Sequence, residues 1–372
     1  MTSIIYVGMD VHTTNYTLCC YSMEDDRFFA EVQVEPDAKN ILKYLARIEK
    51  QQSRDCRIVC GYEAGCLGYS LYHQLHAHGI DCVILAPTTM MTKPGKHIKT
   101  DRRDARLISK CLAFHTYSSV YIPTEVDNAV KEYIRMRDDA NSALARVKQQ
   151  IIAFCIRHGK IHDGKSYWTN KHLEWLSSLD LGNKILSEVL QEYLIRYYQL
   201  REQVDMYDMR INELAQAEPY RQKVEKLGCF RGIAAHTALS FCVEVGDFRR
   251  FATAQQFASY LGLVPGECSS GDKQQYTGIT KAGNSHLRKL LVETAQVFGR
   301  SATKSGKSVA LKERQAKCDS LTVAYADKAN ARLKKKYFKI AMRSKVNIAK
   351  TAVAREMACF IWGMMTDNIS CA

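Results

Sequence analysis

The first 115 residues alternate between short apolar runs and amphipathic stretches. Apolar or alternating runs typical of strands cover residues 4–9, 15–22, 28–34, 57–62 and 82–85. Helical periodicity covers residues 37–50, about 68–78 and the stretch that begins at Asp101. In chain order, the pattern therefore predicts β-β-β-α-β-α-β-α.

Three consecutive strands followed by alternating strands and helices is the ribonuclease-H order, a mixed sheet flanked by helices. Asp10 and Glu63 stand at the ends of two of these strands, where open α/β sheets place their sites. Asp101 and Asp104 lie three residues apart after Thr100, a plausible N-cap, so they share one face of a first helical turn. Taken alone, the pair is explained as surface acids that complement a helix dipole.

Four carboxylates at one sheet edge would repel each other strongly unless a cation neutralised them. Hard divalent cations prefer oxygen ligands, and Mg²⁺ or Mn²⁺ suits a site that acts on phosphate. The sequence therefore predicts a metal site formed by Asp10, Glu63, Asp101 and Asp104.

A long helical region follows. Apolar residues recur at alternating intervals of three and four over 133–154 and again over 190–214, which is the spacing of a heptad seam. An antiparallel hairpin, a coiled coil between two chains and an ordinary helical bundle all fit this spacing. Residues 159–185 are predicted to connect the two helices.

The segment from Cys229 to Ala234 resembles the turn of a helix-hairpin-helix motif, in which backbone N–H groups contact a nucleic-acid phosphate. Gly232 provides one glycine of the pattern, and Ala234 stands where the motif usually has a second. Simple helix packing is the alternative interpretation of this turn.

A polar loop at Ser269-Ser270-Gly271 precedes Thr280-Lys281-Ala282-Gly283-Asn284 and a basic helix. On its own, a serine before a glycine in a polar loop indicates only a turn. A serine hydroxyl is a weak nucleophile and needs a base or a metal to activate it.

The charge distribution points to a polyanionic partner. The chain of 372 residues carries a net charge of +14. Residues 281–355 contain 19 Lys and Arg against four Asp and Glu, whereas the rest of the chain is close to neutral. Such concentration is typical of a nucleic-acid-binding face.

No apolar run approaches the length of a membrane span, and no secretory signal is evident. The 14 cysteines have irregular spacing without a Cys-x-x-Cys pair, which indicates reduced thiols rather than a zinc site or a disulfide framework. We therefore expect a cytoplasmic protein with no membrane partner.

Three strings carry a resemblance to a known family: Val7-Gly8-Met9-Asp10-Val11, Glu63-Ala64-Gly65 and the run from Lys99 to Ala105. With the Ser270-Gly271 pair, they resemble the DEDD transposases of the insertion-sequence one-ten type. That family includes the pilin-gene inversion recombinases and recombinases guided by a bridge RNA. The resemblance covers residues 4–365.

The resemblance implies three regions. Residues 1–120 would form an α/β, ribonuclease-H/RuvC-like catalytic domain, and residues 121–225 an α-helical coiled-coil region for oligomerisation. Residues 226–372 would form a mainly α-helical serine transposase domain with a helix-hairpin-helix-like start and basic nucleic-acid-binding helices.

The resemblance also implies a mechanism. Asp10, Glu63, Asp101 and Asp104 would bind the metal, and Ser270 would attack DNA and form a covalent intermediate, with Ser269 as the neighbouring candidate. The implied partners are donor and target DNA and a structured guide RNA. The implied assembly is a homo-oligomer (a dimer, or a tetramer on DNA). We expect nucleic-acid contacts at Lys99, Arg102, Arg103, Gly232, Lys281, Asn284, Arg288, Lys289, Lys334, Lys335 and Lys336.

Two other classes remain open from the sequence. A metal-dependent, structure-specific nuclease would cut DNA without a covalent intermediate. A non-catalytic nucleic-acid-binding protein would bind independently of Mg²⁺. A sugar-kinase or actin-like ATPase shares the strand-Gly-x-Asp opening, but it leaves the C-terminal charge unexplained and would need a later Gly-rich motif that is missing here.

Overall fold

The computed structural model describes residues 3–51, 56–65, 67–90, 100–267, 275–300 and 306–369. The chain divides into two compact units, unit 1 (Met1–Ile122) and unit 2 (Pro123–Ala372). Within the described ranges, no helix has the length and apolarity that crossing a membrane would require.

Within the residues that the structure describes, unit 1 contains a five-stranded mixed sheet and three α-helices. Its elements are β1 (Ser3–Val11), β2 (Tyr16–Ser22), β3 (Arg27–Val34), α1 (Ala38–Gln51), β4 (Cys56–Glu63), α2 (Ser70–Ala77), β5 (Asp81–Leu85) and α3 (Asp101–Ala113). The strand order is β3-β2-β1-β4-β5. The first three strands are antiparallel, whereas β1, β4 and β5 are parallel. The predicted order of elements and the mixed sheet are confirmed.

Alternation along the strands gives this sheet two buried faces. Val7 and Met9 of β1 belong to a core with Ile41 of α1. Tyr6, from the opposite face of the same strand, packs with Ile108 of α3. Because side chains alternate in a strand, Asp10 shares the face of Tyr6, the side of the sheet that α3 covers.

Unit 2 is almost entirely helical. Its helices are α4 (Glu125–Arg157), α5 (Asn170–Ser177), α6 (Lys184–Gln216), α7 (Arg221–Gly228), α8 (Ala235–Val245), α9 (Ala254–Tyr260), α10 (Ser285–Gly299), α11 (Val309–Gln315), α12 (Ser320–Ala341) and α13 (Val346–Met365). A two-stranded antiparallel sheet pairs β6 (Pro265–Glu267) with β7 (Tyr276–Ile279).

The two longest helices, α4 and α6, pack against each other within the chain. Leu144 and Ile151 of α4 share a buried cluster with Leu190 and Tyr197 of α6, and all four occupy positions of the predicted seams. Arg137, at a polar seam position, donates two hydrogen bonds to Asp208 at 2.7 and 2.9 Å. The predicted connection between the helices contains α5, which the sequence pattern did not predict.

A second core in unit 2 joins α7, α8, α10, α12 and α13. Its fully buried residues include Phe230, Phe241, Phe298 and Met357. The final helix, α13, joins the basic stretch that begins at Val346 and the apolar segment 357–365 in one element. Ser269 and Ser270 lie outside the described residues.

Candidate active site

An acidic site lies at the carboxyl end of β1. Asp10 Oδ2 is 3.2 Å from Nε2 of His12. Asp10, His12 and Asp101 each offer one ligand atom, and these atoms lie within 4.8 Å of one another. Strand β1 supplies Asp10 and the first turn of α3 supplies Asp101, so the site depends on how closely this helix approaches this strand.

Two glycines permit that close approach. A Cβ added at Gly8 of β1 would overlap the backbone of Ala105 and Ser109 in α3, and one at Gly61 of β4 would press on Leu112. Because the strand has no side chain at Gly8, the helix backbone sits directly on it. The start of α3 is held beside the end of β1 as a result.

The start of α3 is fixed by its cap. The Thr100 hydroxyl accepts a hydrogen bond from the Arg103 N–H at 3.4 Å, which satisfies one of the free donors of the first turn. Asp101 and Asp104 both lie in that turn. The predicted capped start of this helix is confirmed.

Glu63 ends β4, the neighbouring strand. Met9 and Tyr62 are paired in the parallel register of β1 and β4, so Asp10 and Glu63 follow at the same level of the sheet. Glu63 is exposed and lies outside the group whose ligand atoms converge on Asp10. The structure therefore brings Asp10 and Asp101 together and leaves Glu63 at the adjacent strand end.

The acids at this edge influence one another. Burial raises the pKa of Asp10, His12 opposes that effect, and the negative charges of Asp104 and Asp101 raise the pKa further. Like charges held close together favour a bound cation. Asp10 and Asp101 supply the carboxylate oxygens that divalent cations prefer, and His12 contacts Asp10, so the residues present fit a divalent metal.

Basic residues near this edge have acidic partners of their own. Arg102 Nε is 3.3 Å from Glu31 Oε1, and Arg106 Nε donates to Glu31 Oε2 at 2.7 Å. Arg103 is exposed. Lys99, another predicted nucleic-acid contact, lies outside the described residues.

In unit 2, two predicted contact residues line one cleft. Gly232, with φ at +86°, forms the turn between α7 and α8. It lines a cleft of about 430 Å³ together with Lys289 of α10, His236 and Arg300. This arrangement brings the helix-hairpin-helix-like turn and the basic helix to the same concave surface.

Other predicted contacts in unit 2 have structural partners. Asn284 caps α10 by accepting a hydrogen bond from the Leu287 N–H at 3.0 Å. Arg288 donates to the carbonyls of Leu261 and Ala282. Lys281 is exposed with φ at +57°. These contacts stabilise the loop that precedes α10.

The three predicted lysines of α12 differ in environment. Lys335 is exposed and Lys334 is half-buried. Lys336 Nζ is 2.6 Å from Glu356 Oε2, and Arg332 also pairs with Glu356. Lys336 therefore has an acidic partner within unit 2 before any nucleic acid binds.

Sequence reasoning missed several ionisable residues that the structure brings together. His12 lies two residues after Asp10, and this short spacing was the only signal for it. In unit 2, Asp138 contacts both His236 and His286 at 2.8 Å. These three residues come from different helices, so no local pattern could have joined them.

The acidic sheet edge and the helical basic unit are the parts expected of an enzyme that acts on DNA, and comparison with known proteins defines the class as transposase. Residues 7–156 match a transposase domain model of the IS110 DEDD type. Residues 225–314 match the model described as transposase IS116/IS110/IS902 family.

Two relatives that align over most of their length agree. The chain is 35% identical over 307 residues to the y4qE protein of Sinorhizobium fredii, named as a transposase, covering 82% of this chain and 75% of that protein. It is 32% identical over 340 residues to the transposase for insertion sequence element IS1533 of Leptospira borgpetersenii, covering 90% and 95%. The chain belongs to the IS110/IS116/IS902 family of insertion-sequence transposases.

Family membership bears on the site directly. A DEDD transposase carries four acidic residues whose type implies a divalent metal, and Asp10, Asp101 and His12 form a candidate acidic cluster in this chain. The predicted family and the activity on DNA are confirmed.

Proposed function

We propose that the protein cuts and rejoins DNA through a serine nucleophile assisted by a divalent metal at the acidic edge of unit 1. The convergence of Asp10 and Asp101 at one sheet edge, in a chain of the DEDD family, is the observation that supports this proposal most strongly. Unit 1 would supply the carboxylates, and unit 2 would supply the serine.

Asp10, Glu63, Asp101 and Asp104 would hold Mg²⁺ or Mn²⁺, and His12 would orient Asp10. A divalent cation there would stabilise negative charge on the phosphate oxygens during phosphoryl transfer. The raised pKa of Asp10 supports this role, because burial and neighbouring acids disfavour its charge when no cation is bound. The strand order of unit 1 supports a RuvC-like fold.

Ser270 would attack the phosphorus of a DNA phosphodiester. An Oγ–P bond would form, a P–O bond to one deoxyribose would break, and the serine proton would pass to the departing oxygen. A hydroxyl from a second strand would then attack the phosphoserine and release the serine. Bond energy is retained in this sequence, so no nucleotide cofactor is needed.

The basic helices of unit 2 would hold the nucleic acids. Phosphate contacts supply affinity without sequence information, and the positive charge suits RNA as well as donor and target DNA. We propose that a structured guide RNA supplies the sequence specificity. The protein would act in the bacterial cytoplasm as a homo-oligomer, with the paired helices α4 and α6 forming its coiled-coil region.

A trapping assay tests the proposed function. Purified protein with RNA co-expressed from its native flanking region is mixed with labelled donor and target DNA and Mg²⁺, and the products are run on a denaturing gel. We expect a covalent protein–DNA adduct that Ser270→Ala abolishes while DNA binding is retained. Ser269→Ala is the matched control and should still form the adduct.

Three other results would each indicate a different nucleophile or function. An adduct that persists in Ser270→Ala but disappears in Ser269→Ala would move the nucleophile by one residue. Cleaved DNA without any adduct would favour a metal-dependent nuclease. Binding that is indifferent to Mg²⁺ and to Asp101→Asn, with unaltered DNA, would favour a non-catalytic nucleic-acid-binding protein.

A further inference from the structure

A charge network joins three helices of unit 2. The Asp138 carboxylate of α4 lies 2.8 Å from Nε2 of His236 in α8 and 2.8 Å from Nε2 of His286 in α10. The other ring nitrogen of His286, Nδ1, lies 3.3 Å from Glu244 Oε1 of α8. His286 is therefore held between two carboxylates that come from different helices.

Glu244 is itself firmly placed. Its side chain is only 6% exposed and lies 3.1 Å from the Arg135 guanidinium. Its second oxygen accepts a hydrogen bond from Asn284 Nδ2 at 2.9 Å. Since Asn284 also caps α10, Glu244 contacts both the cap residue and the second residue of the same helix.

The loop before α10 is fixed from its other side by backbone contacts. The N–H groups of Thr280, Lys281 and Asn284 donate to the carbonyls of Val264, Gly262 and Tyr260 at 2.9, 3.1 and 3.1 Å. A Cβ added at Gly283, where φ is +63°, would overlap the Tyr260 carbonyl. The loop fits closely between the end of α9 and the start of α10.

This loop leads directly out of β7, which pairs with β6. The segment between the two strands, residues 268–275, contains Ser270 in the sequence. The side-chain network therefore holds the start of α10, and the backbone contacts of residues 280–284 join that helix to the end of β7.

We propose that Asp138, His286 and Glu244 form a positioning clamp, which holds the start of α10 and the loop before it, and so fixes the end of β7, the strand that follows Ser270 in the sequence. The three side chains are positioning residues and touch no reacting atom in this proposal. The inference rests on the proposed function, because the clamp has a catalytic effect only if Ser270 reacts.

Energetics favour a positioning role. Removing ionised groups from water is costly, and a buried ion pair seldom contributes more stability than well-packed apolar residues would. What such a pair does provide is a fixed geometry, because each carboxylate oxygen accepts from a defined donor direction. A histidine between two carboxylates therefore fixes the direction of α10 relative to α4 and α8.

The protonation of His286 gives the clamp a pH dependence. Burial acts to lower the pKa of His286, but hydrogen bonds and charge from Asp138 and Glu244 outweigh it and raise the pKa to about 9. Arg135 and Arg137 of α4 add positive charge to the same network, and His236 of α8 contacts Asp138. The cation is present at neutral pH and is lost as the pH rises through about 9.

The test compares Asp138→Asn with Asp139→Asn. Asp139 is the next residue of α4 and is exposed. The two variants therefore make the same substitution, one at a clamp residue and one at a neighbour outside the clamp. Three quantities are measured on the full-length protein with RNA: the rate of adduct formation, the affinity for donor DNA, and hydrogen exchange of the amides at 280–291.

We expect Asp138→Asn to slow adduct formation about tenfold while the DNA affinity stays within about twofold. Amide exchange at 280–291 should rise. The pH at which adduct formation declines on the alkaline side should move down, because His286 loses one of its two carboxylate partners. Asp139→Asn should match the wild type in all of these measurements.

The clamp is overturned if the two variants behave alike. It is also overturned if Asp138→Asn weakens DNA binding but the bound complex forms the adduct at the wild-type rate. If Asp138→Asn does not fold, His286→Gln is measured against the exposed His158→Gln by the same criteria. If Ser270→Ala forms the adduct normally, the proposed function fails, and exchange at 280–291 alone decides whether the clamp holds the start of α10 and the loop before it.

Discussion

At the scale of single residues, the site depends on carboxylates that the fold brings closer together than their charges favour. Asp10 is largely enclosed at the end of β1, and Asp101 reaches it from the start of α3. Such a pair is poorly placed for stability alone and well placed for a divalent cation.

Asp101→Asn should remove one charge from this site with little change in shape. We expect Mn²⁺ affinity to fall and adduct formation to decrease by at least about 100-fold, because metal catalysis contributes several kcal/mol to phosphoryl transfer. Calorimetric titration of Mn²⁺ and the trapping assay measure the two effects.

Asp25→Asn is the control for that variant. Asp25 is exposed in the turn after β2, at the opposite end of the sheet from Asp10, and pairs with Arg27 at 3.6 Å. It should bind Mn²⁺ and form adduct like the wild type. Undiminished activity in Asp101→Asn would argue against any role of this carboxylate.

The sequence predicted part of this site because part of it is local. Asp101 and Asp104 share a helical turn, and their spacing alone places them on one face. His12 was missed, because its contact with Asp10 depends on how the chain turns after β1. The Asp138–His286 contact was missed as well, since it joins residues 148 positions apart.

At the scale of elements, the contact between β1 and α3 sets the site geometry. Gly8→Ala would place a methyl group against the backbone of Ala105 and Ser109, which cannot rotate away. We expect a loss of about 1–3 kcal/mol in the free energy of unfolding and a weaker affinity for Mn²⁺, because α3 must move away from β1.

Gly65→Ala is the matched control for the glycine variant. An added Cβ there meets only the Glu63 carbonyl at 3.8 Å, which is ordinary contact. Urea unfolding should leave it close to the wild type. Equal stability of the two alanine variants would show that the close approach of α3 is not required.

The apolar seam between α4 and α6 contains an ion pair. Arg137 is 18% exposed and forms a bidentate pair with Asp208. Arg137→Ala should lower the free energy of unfolding by about 2 kcal/mol, because a charge-assisted pair is lost and Asp208 keeps its charge without that partner.

The exposed pair Arg210–Glu213 on α6 is the comparison for Arg137. Arg210→Ala should cost no more than about 0.5 kcal/mol, since solvent screens such pairs. Denaturant unfolding of both variants measures the contrast. Similar losses in the free energy of unfolding from the two substitutions would mean that the Arg137–Asp208 pair does not stabilise the packing of α4 against α6.

Long periodic elements were predictable at this scale, and short ones were not. The order of strands and helices in unit 1 followed from apolar runs of contrasting period. Helix α5 and the β6–β7 pair are short, and their formation depends on partners distant in sequence.

At the scale of the whole molecule, the excess positive charge and the acidic site belong to different units. Residues 281–355 carry almost all the excess positive charge, whereas the acidic site lies in unit 1. This separation was visible in the sequence, because it needs only composition. The sequence did not show which lysines remain available to bind nucleic acid, since that depends on acidic partners such as Glu356.

The double variant Lys334→Gln/Lys335→Gln should weaken DNA binding uniformly across sequences. The slope of log affinity against log salt concentration should decrease in magnitude by about 1 to 2, as two phosphate contacts are lost. Lys336→Gln should change that slope less, because Glu356 already neutralises this lysine. Equal slopes for the double variant and the wild type would remove these lysines from the interface.

We propose that the carboxylates of unit 1 in one chain and the serine of unit 2 in another chain act in one reaction within the homo-oligomer. Differently tagged Ser270→Ala and Asp101→Asn chains, co-expressed with the RNA and purified through both tags, test it in the trapping assay. We expect an adduct on the Asp101→Asn chain, although neither variant forms one alone. An intact wild-type reaction with no adduct from the mixed oligomer would contradict it.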